Sequence, residues 1–176
     1  MDSMLQLAIA IPLSLLFFSA GRHKLMDREF RTQLAAYELL PMALLAPAGL
    51  LLAAIELLTG LLLLVPLLRP AAGFTAAGLL LLYATAMTVN LLRGRHDLDC
   101  GCGGDGQVIS YWLVLRNVLL AIAASALLLP GSSRSLELSE YLALGLSTAV
   151  ASLLYLTIKQ LLVNQVALKP RGSHES

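Results

Sequence analysis

The chain has 176 residues, of which 58% are hydrophobic and only 13% charged, with a formal net charge of +1 and a mean hydropathy of +0.80. A soluble domain of this size carries about 25% charged residues to clothe its surface, so this composition excludes an ordinary soluble enzyme. A net charge this small gives no electrostatic footprint for nucleic acid.

The charge deficit falls in blocks. Apolar runs near or above ~18 residues recur, the length an α-helix needs to cross ~30 Å of hydrocarbon. Lipid cannot satisfy backbone hydrogen bonds, so such runs are helical. They are Leu/Ala blocks without period-two alternation, which excludes a membrane β-barrel. Five spans are predicted, at about 4–21, 42–68, 71–92, 111–129 and 141–163. The expected architecture is all-α: a polytopic transmembrane helix bundle forming one domain over 1–168, with a disordered polar tail at 169–176.

The first span has only Asp2 before it and lacks a basic n-region, so it is expected to be retained and not cleaved as a signal peptide. Arg22, Lys24, Arg28 and Arg31 follow it. Met26, Phe30, Leu34 and Tyr37 then recur at helical spacing, with Asp27, Arg28, Arg31, Thr32 and Gln33 between them. This pattern predicts an amphipathic surface helix at about 25–38, serving as a headgroup anchor or as a lid over the bundle.

The second span has Pro41, Pro47 and Pro66 at or near its ends and one charge, Glu56. A charge at that depth marks either a functional site or an interhelical hydrogen bond. Only the stretch 66–70 separates the second span from the third, which predicts a tight antiparallel hairpin. The fourth span has Ser110 as N-cap and Pro130-Gly131 as its stop. Small residues four apart, Gly73 with Ala77 and Gly145 with Ala149, predict close helix contacts.

Nine Lys/Arg lie on one side of these spans: Arg22, Lys24, Arg28, Arg31, Arg93, Arg95, Lys159, Lys169 and Arg171. The other side has Arg69 and Arg134, and Arg116 lies within a span. Because Lys and Arg resist translocation, the N-terminus is expected outside and the C-terminus inside.

The chemistry concentrates in the loop at 93–110, which carries His96-Asp97-Leu98-Asp99-Cys100-Gly101-Cys102-Gly103-Gly104-Asp105 and the only two cysteines in the chain. A C-x-C pair closes a small ring, and the intervening glycine allows the torsions this demands. Such a ring departs from relaxed disulfide geometry, and a strained, exposed disulfide exchanges readily. The nearby carboxylates oppose thiolate formation, whereas Arg93, Arg95 and the N-terminus of the fourth span favour it. Three readings share this loop: thiol–disulfide redox, metal binding through His96, Cys100, Cys102 and an Asp, and a Gly-rich turn with incidental cysteines. No second Cys/His pair completes a closed metal site. Nothing else in the chain has an enzyme signature.

The sequence resembles the MauE-type methylamine-utilisation membrane proteins, within the wider DoxX-like group. The resemblance rests on Phe18-Ser19-Ala20-Gly21 with Lys24, on Phe30, Tyr37 and Leu39-Leu40-Pro41, and on Glu56 with Gly60. The C-G-C-G-G loop and Arg116-Asn117 complete it. The family loop usually reads C-G-C-F-G, so Gly103 replaces an aromatic residue here. The resemblance implies a DoxX-like four-helix core plus one span in a bacterial cytoplasmic membrane. It also implies a thiol–disulfide component that works through Cys100 and Cys102 with a thioredoxin-like partner. In the family this activity is linked to maturation of an exported, disulfide-rich dehydrogenase subunit. Supporting roles fall on Lys24, Glu56, Asp99, Arg116 and Asn117.

At 1.5 Å per residue, Glu56 lies roughly 20 Å from the cysteine-bearing face and Arg116 roughly 8 Å, which argues against a direct pair between them. Arg116 is expected to snorkel toward Asn90, Asp97 or Asp99 and steady the cysteine loop. Two function classes remain, a thiol–disulfide component and a membrane scaffold or chaperone subunit that docks a partner. A quinone is compatible with the first class as oxidant, and nothing in the sequence requires it.

Overall fold

In the computed structural model, residues 3–27, 30–100, 108–129 and 145–146 are described. The chain divides into two compact units, Met1–Arg134 and Ser135–Ser176. Of the second unit only Gly145 and Leu146, both helical, are among the described residues, so the predicted span at 141–163 and the tail fall outside them.

The first unit contains α1 (Ser3–Met26), α2 (Phe30–Ala36), α3 (Met42–Leu64), α4 (Arg69–Leu92) and α5 (Tyr111–Ala126). Helices α1, α3 and α4 have 24, 23 and 24 residues and are apolar enough to cross a membrane. At 1.5 Å per residue each reaches about 35 Å, a little more than the ~30 Å hydrocarbon core.

Helix boundaries follow local chemistry. Helix α3 stops at Leu64, four residues short of the predicted end, because Val65 turns extended ahead of Pro66. Pro70 falls in the first turn of α4, where its missing N–H leaves no bond unmade, so that helix starts at Arg69. The Ser110 side chain accepts from the Leu113 N–H and caps α5. The α5 helix ends at Ala126, and Leu127–Leu129 close with tighter i→i−3 bonds.

Two packed pairs, α1 on α3 and α4 on α5, are joined through α3 and α4. Glycine sets how closely they approach. A Cβ at Gly21 would lie 2.8 Å from Leu57 Cγ and 3.0 Å from the Ala53 carbonyl oxygen, and one at Gly73 would lie 2.9 Å from the Ala124 carbonyl oxygen. Ser14 Oγ donates to the Gly60 carbonyl oxygen at 2.8 Å, a second α1–α3 tie. In lipid no hydrophobic force drives helices together, so close backbone contact and interhelical hydrogen bonds replace it.

The surface is inverted relative to a soluble protein. Ser14, Lys24, Glu56, Thr59, Asn90 and Asn117 are buried, whereas Leu15, Leu50, Leu58, Leu61, Phe74, Leu81 and Ile122 are exposed. An apolar exterior around a polar interior is stable in a hydrocarbon solvent and not in water. The protein is a multi-pass membrane helix bundle.

At the α3–α4 turn, Arg69 is buried and not a loop charge. Its Nε donates to the Leu63 carbonyl oxygen at 3.2 Å and its Nη1 to Gln6 Oε1 at 3.5 Å, while Gln6 Nε2 donates to the Leu129 carbonyl oxygen. These bonds tie α1, α3, α4 and the end of α5 together. The cysteine loop lies at the opposite end, where α4 finishes and α5 begins.

Candidate functional site

The base of the cysteine loop is ordered by the backbone. Asp99 and Val108 form an antiparallel bridge, and the Ile109 N–H donates to the Leu98 carbonyl oxygen at 2.8 Å. Pinning both arms turns Cys100 inward, against Tyr37, Met87, Leu91, Ile109 and Leu113. Cys100 is only 7% exposed, so it is a buried group and not the exposed one that the loop composition suggests. Its sequence partner Cys102 lies outside the described residues.

The segment after α1 covers this site. Sequence spacing predicts a surface helix at 25–38, but α1 itself continues to Met26 and the separate helix α2 is only Phe30–Ala36. Phe30 is buried against Gly49 of α3, where a Cβ would lie 3.2 Å from its ring. Beyond α2, the Tyr37 hydroxyl donates to the Asp99 carbonyl oxygen at 3.1 Å. Arg95 Nη1 donates to the Ala36 carbonyl oxygen at 3.1 Å, and its Nη2 pairs with Glu38 Oε2 at 2.6 Å. Glu38 has a positive φ of 49°, a left-handed turn that brings its carboxylate to Arg95.

The bundle also holds a buried charged pair. Lys24 Nζ donates to Glu56 Oε1 at 2.8 Å, and both side chains are almost wholly buried. The Tyr83 hydroxyl of α4 donates to the same oxygen at 2.6 Å, so one carboxylate oxygen joins α1, α3 and α4. Lys24 Nζ also lies 5.4 Å from the Phe30 ring centroid and 5.1 Å from that of Tyr83, within cation–π range. The second oxygen, Glu56 Oε2, is buried without a hydrogen-bond partner among the described residues.

This pair corrects one expectation, since Lys24 is not a solvated loop charge, and it gives Glu56 the interhelical bonds that a charge at that depth calls for. The physical reason is direction. Helical side chains lean toward the N-terminus, so a lysine near the end of α1 points back into the bundle, not out to the headgroups. There it meets Glu56, because the Gly21 and Ser14–Gly60 contacts fix the register of α1 on α3.

Between the cover and the bundle is a cavity of about 370 Å³. Lys24, Phe30, Gln33, Tyr37, Tyr83 and Cys100 are among its lining residues, so it connects the buried pair to the cysteine loop. The sequence reading missed Tyr83 and Gln33. Tyr83 is the one tyrosine in the third span, and a phenol at membrane depth signals a hydrogen-bond partner.

The remaining predicted residues are more scattered. Arg116 lies half-buried in the second turn of α5. Asn117 is buried, and its Nδ2 donates to the Leu113 carbonyl oxygen at 2.8 Å, a bond within its own helix. Asn90 is fully buried, with Nδ2 donating to the Ala86 carbonyl oxygen. His96 and Asp97 are exposed on the outer arm of the loop. Among the described residues no three His, Cys, Asp or Glu side chains are grouped to hold a metal ion.

The family described as "Methylamine utilisation protein MauE" matches residues 2–130. The chain is 37% identical over 155 residues to a methylamine utilization protein MauE of Paracoccus denitrificans, covering 85% of this chain and 83% of that protein. It is 35% identical over 147 residues to a MauE of Methylophilus methylotrophus, covering 84% and 77%. A third MauE, from Methylorubrum extorquens, is 36% identical over 118 residues, covering 65% and 63%. No solved structure matches the chain. The match spans α1 to α5 and includes the buried pair, the cover and the cysteine loop, and on this evidence the chain belongs to the MauE family.

Proposed function

We propose that the protein is the membrane component of a thiol–disulfide pathway, in which Cys100 and Cys102 exchange with a thioredoxin-like partner. The observation that carries this reading is the position of Cys100. It is held at the pinned base of a loop, on the wall of a cavity, one residue from the only other cysteine in the chain. A structural cysteine needs neither a glycine-rich loop nor a cysteine neighbour, whereas a neighbouring thiol can resolve a mixed disulfide and the glycines let so short a ring close.

The relatives are named for methylamine utilisation, and this chain serves the same pathway by supporting maturation of an exported disulfide protein. The site lies in a bacterial cytoplasmic membrane. A cytoplasmic cysteine end, with electrons or thiols relayed across the bundle to the exported client, is supported by the charge bias: Arg22, Arg31 and Arg93 are exposed at that end, whereas Arg69 at the other end is buried. Arg116, with Asp99 in the loop arm, steadies the loop electrostatically.

Complementation tests the reading. In a host lacking its own MauE, wild type restores growth on methylamine and accumulation of the disulfide-bonded dehydrogenase subunit. Cys100→Ser and Cys102→Ser insert at wild-type levels and restore neither. Restoration by the double cysteine variant sinks the redox reading and leaves the scaffold reading in its place.

A further inference from the structure

Helix α2 is fastened to the bundle by different chemistry at its two ends. Of its seven residues only Phe30 is buried. Beneath it lies the chamber of about 370 Å³, whose lining includes Leu34, Tyr37 and Cys100, so part of the inner face of the cover is left unpacked. The far end is tied by polar bonds, from the Tyr37 hydroxyl to the Asp99 carbonyl oxygen and from Arg95 to Ala36 and Glu38. The near end is held by the Phe30 ring, seated against Gly49 of α3.

That ring has a second neighbour. The Lys24 ammonium lies over it, 5.4 Å from its centroid, and over the Tyr83 ring at 5.1 Å. An ammonium has three N–H groups, and Glu56 Oε1 takes one of them. The Lys24 side chain is only 2% exposed, so water hardly competes for the charge, and a cation–π contact is strongest where the cation is desolvated. Glu56 belongs to the arrangement because a buried ammonium needs a counter-charge to stay charged. Tyr83 sits on α4 and is part of the bundle, whereas Phe30 sits on the cover. One cation therefore links the cover to the ion pair that joins α1, α3 and α4.

We propose that Lys24 and Phe30 form the latch of the cover: the buried ion pair, acting through the cation–π contact, sets how often α2 lifts and admits a reagent or partner to Cys100. Phe30 and Cys100 line the same chamber, so a ring that leaves Gly49 opens the space beside the thiol. Lys24 acts through Phe30 and is a positioning residue. The latch deepens the thiol–disulfide reading above and rests on it for its purpose, which is to keep the thiol closed until a partner docks.

The test uses the full chain with Cys102 replaced by serine, reconstituted in phosphatidylcholine vesicles, and follows alkylation of Cys100 by N-ethylmaleimide. Mono-, di- and trifluorinated phenylalanine at position 30 keep the shape of the ring while draining negative charge from its face. Each added fluorine should speed alkylation, by about tenfold across the series. Phe30→Leu, which has no π face, should speed it at least as much. In a Lys24→Met/Glu56→Leu background, which retains neither charge of the pair, alkylation should start fast and the series should be flat. Tyr83→Phe keeps its ring and loses the bond to Glu56, so it should lower thermal stability while the gradation survives. A series that is flat with Lys24 in place, or equally steep without it, overturns the proposal and leaves Phe30 as apolar packing. Trapping of a mixed disulfide in cells separates the two readings. A flat series beside a trapped adduct removes the latch and keeps the exchange reading; a graded series without any adduct keeps the latch and removes exchange.

Discussion

Lys24 of α1 and Glu56 of α3 form a 2.8 Å ion pair inside the bundle, and Tyr83 of α4 donates to the same carboxylate oxygen. Removing one member of a buried pair strands the other charge and costs about 3–5 kcal/mol. Lys24→Met and Glu56→Leu should each destabilise the protein by that amount in thermal unfolding in detergent. The double variant should recover most of the loss, since replacing both members with apolar groups is often neutral. Tyr83→Phe removes one hydrogen bond to a charged acceptor and should cost about 1.5–3 kcal/mol. Additive single effects in the double variant would show that the pair is not coupled.

Glycine at the helix contacts gives a sharper test because a control is built in. A methyl at Gly73 meets the Ala124 carbonyl oxygen and Leu127 Cβ at 2.9 Å, whereas Gly78 has nothing within 4 Å. Gly73→Ala should lower stability by about 1–3 kcal/mol through overpacking. Gly78→Ala in the same helix should raise it by up to ~1 kcal/mol through helix propensity. Equal effects at the two positions would contradict the α4–α5 packing.

The cover makes Cys100 slow to react. With Cys102 replaced by serine, Tyr37→Phe and Arg95→Ala should each speed alkylation of Cys100. The first loses the bond to the Asp99 carbonyl oxygen, and the second releases Ala36 and Glu38. Stability should fall by only ~1 kcal/mol per variant, since one neutral bond or exposed pair is worth no more. Unchanged alkylation rates in both would mean that the cover does not govern access.

Much of this fold was legible because bilayer thickness dictates span length. The spans at 42–68 and 71–92 correspond to α3 and α4, and the apolar positions carried that information. The ends were harder. Hydropathy treats a lysine as the end of a span, so α1 was expected to stop at 21 and instead runs to Met26. Only the register of α1 on α3 reveals that Lys24 has a carboxylate to meet. Arg69 misled the sequence reading in the same way, being satisfied by Leu63 and Gln6. Composition drew attention to the cysteine loop, but the burial of Cys100 depends on Tyr37, 63 positions earlier, and on a bridge to Val108. Those are tertiary facts that local pattern does not encode.

Orientation is testable at an exposed loop residue. In a cysteine-less background His96→Cys places a reporter on the outer arm of the cysteine loop. A membrane-impermeant maleimide should leave it unlabelled in intact spheroplasts and label it after permeabilisation. Ready labelling in intact spheroplasts would place the cysteine end outside and reverse the charge-based orientation.

The claim that Cys100 and Cys102 exchange with a thioredoxin-like partner is tested most directly by trapping the intermediate. Exchange passes through a mixed disulfide that the neighbouring thiol resolves. Cells expressing Cys100→Ser, Cys102→Ser or the double variant are quenched with acid and an alkylating agent and run on non-reducing gels. At least one single variant should accumulate a reducible adduct whose second component is identified by mass spectrometry as a thioredoxin-fold protein. The double variant should insert normally and form none. No adduct in either single variant, at wild-type levels of inserted protein, would contradict the account.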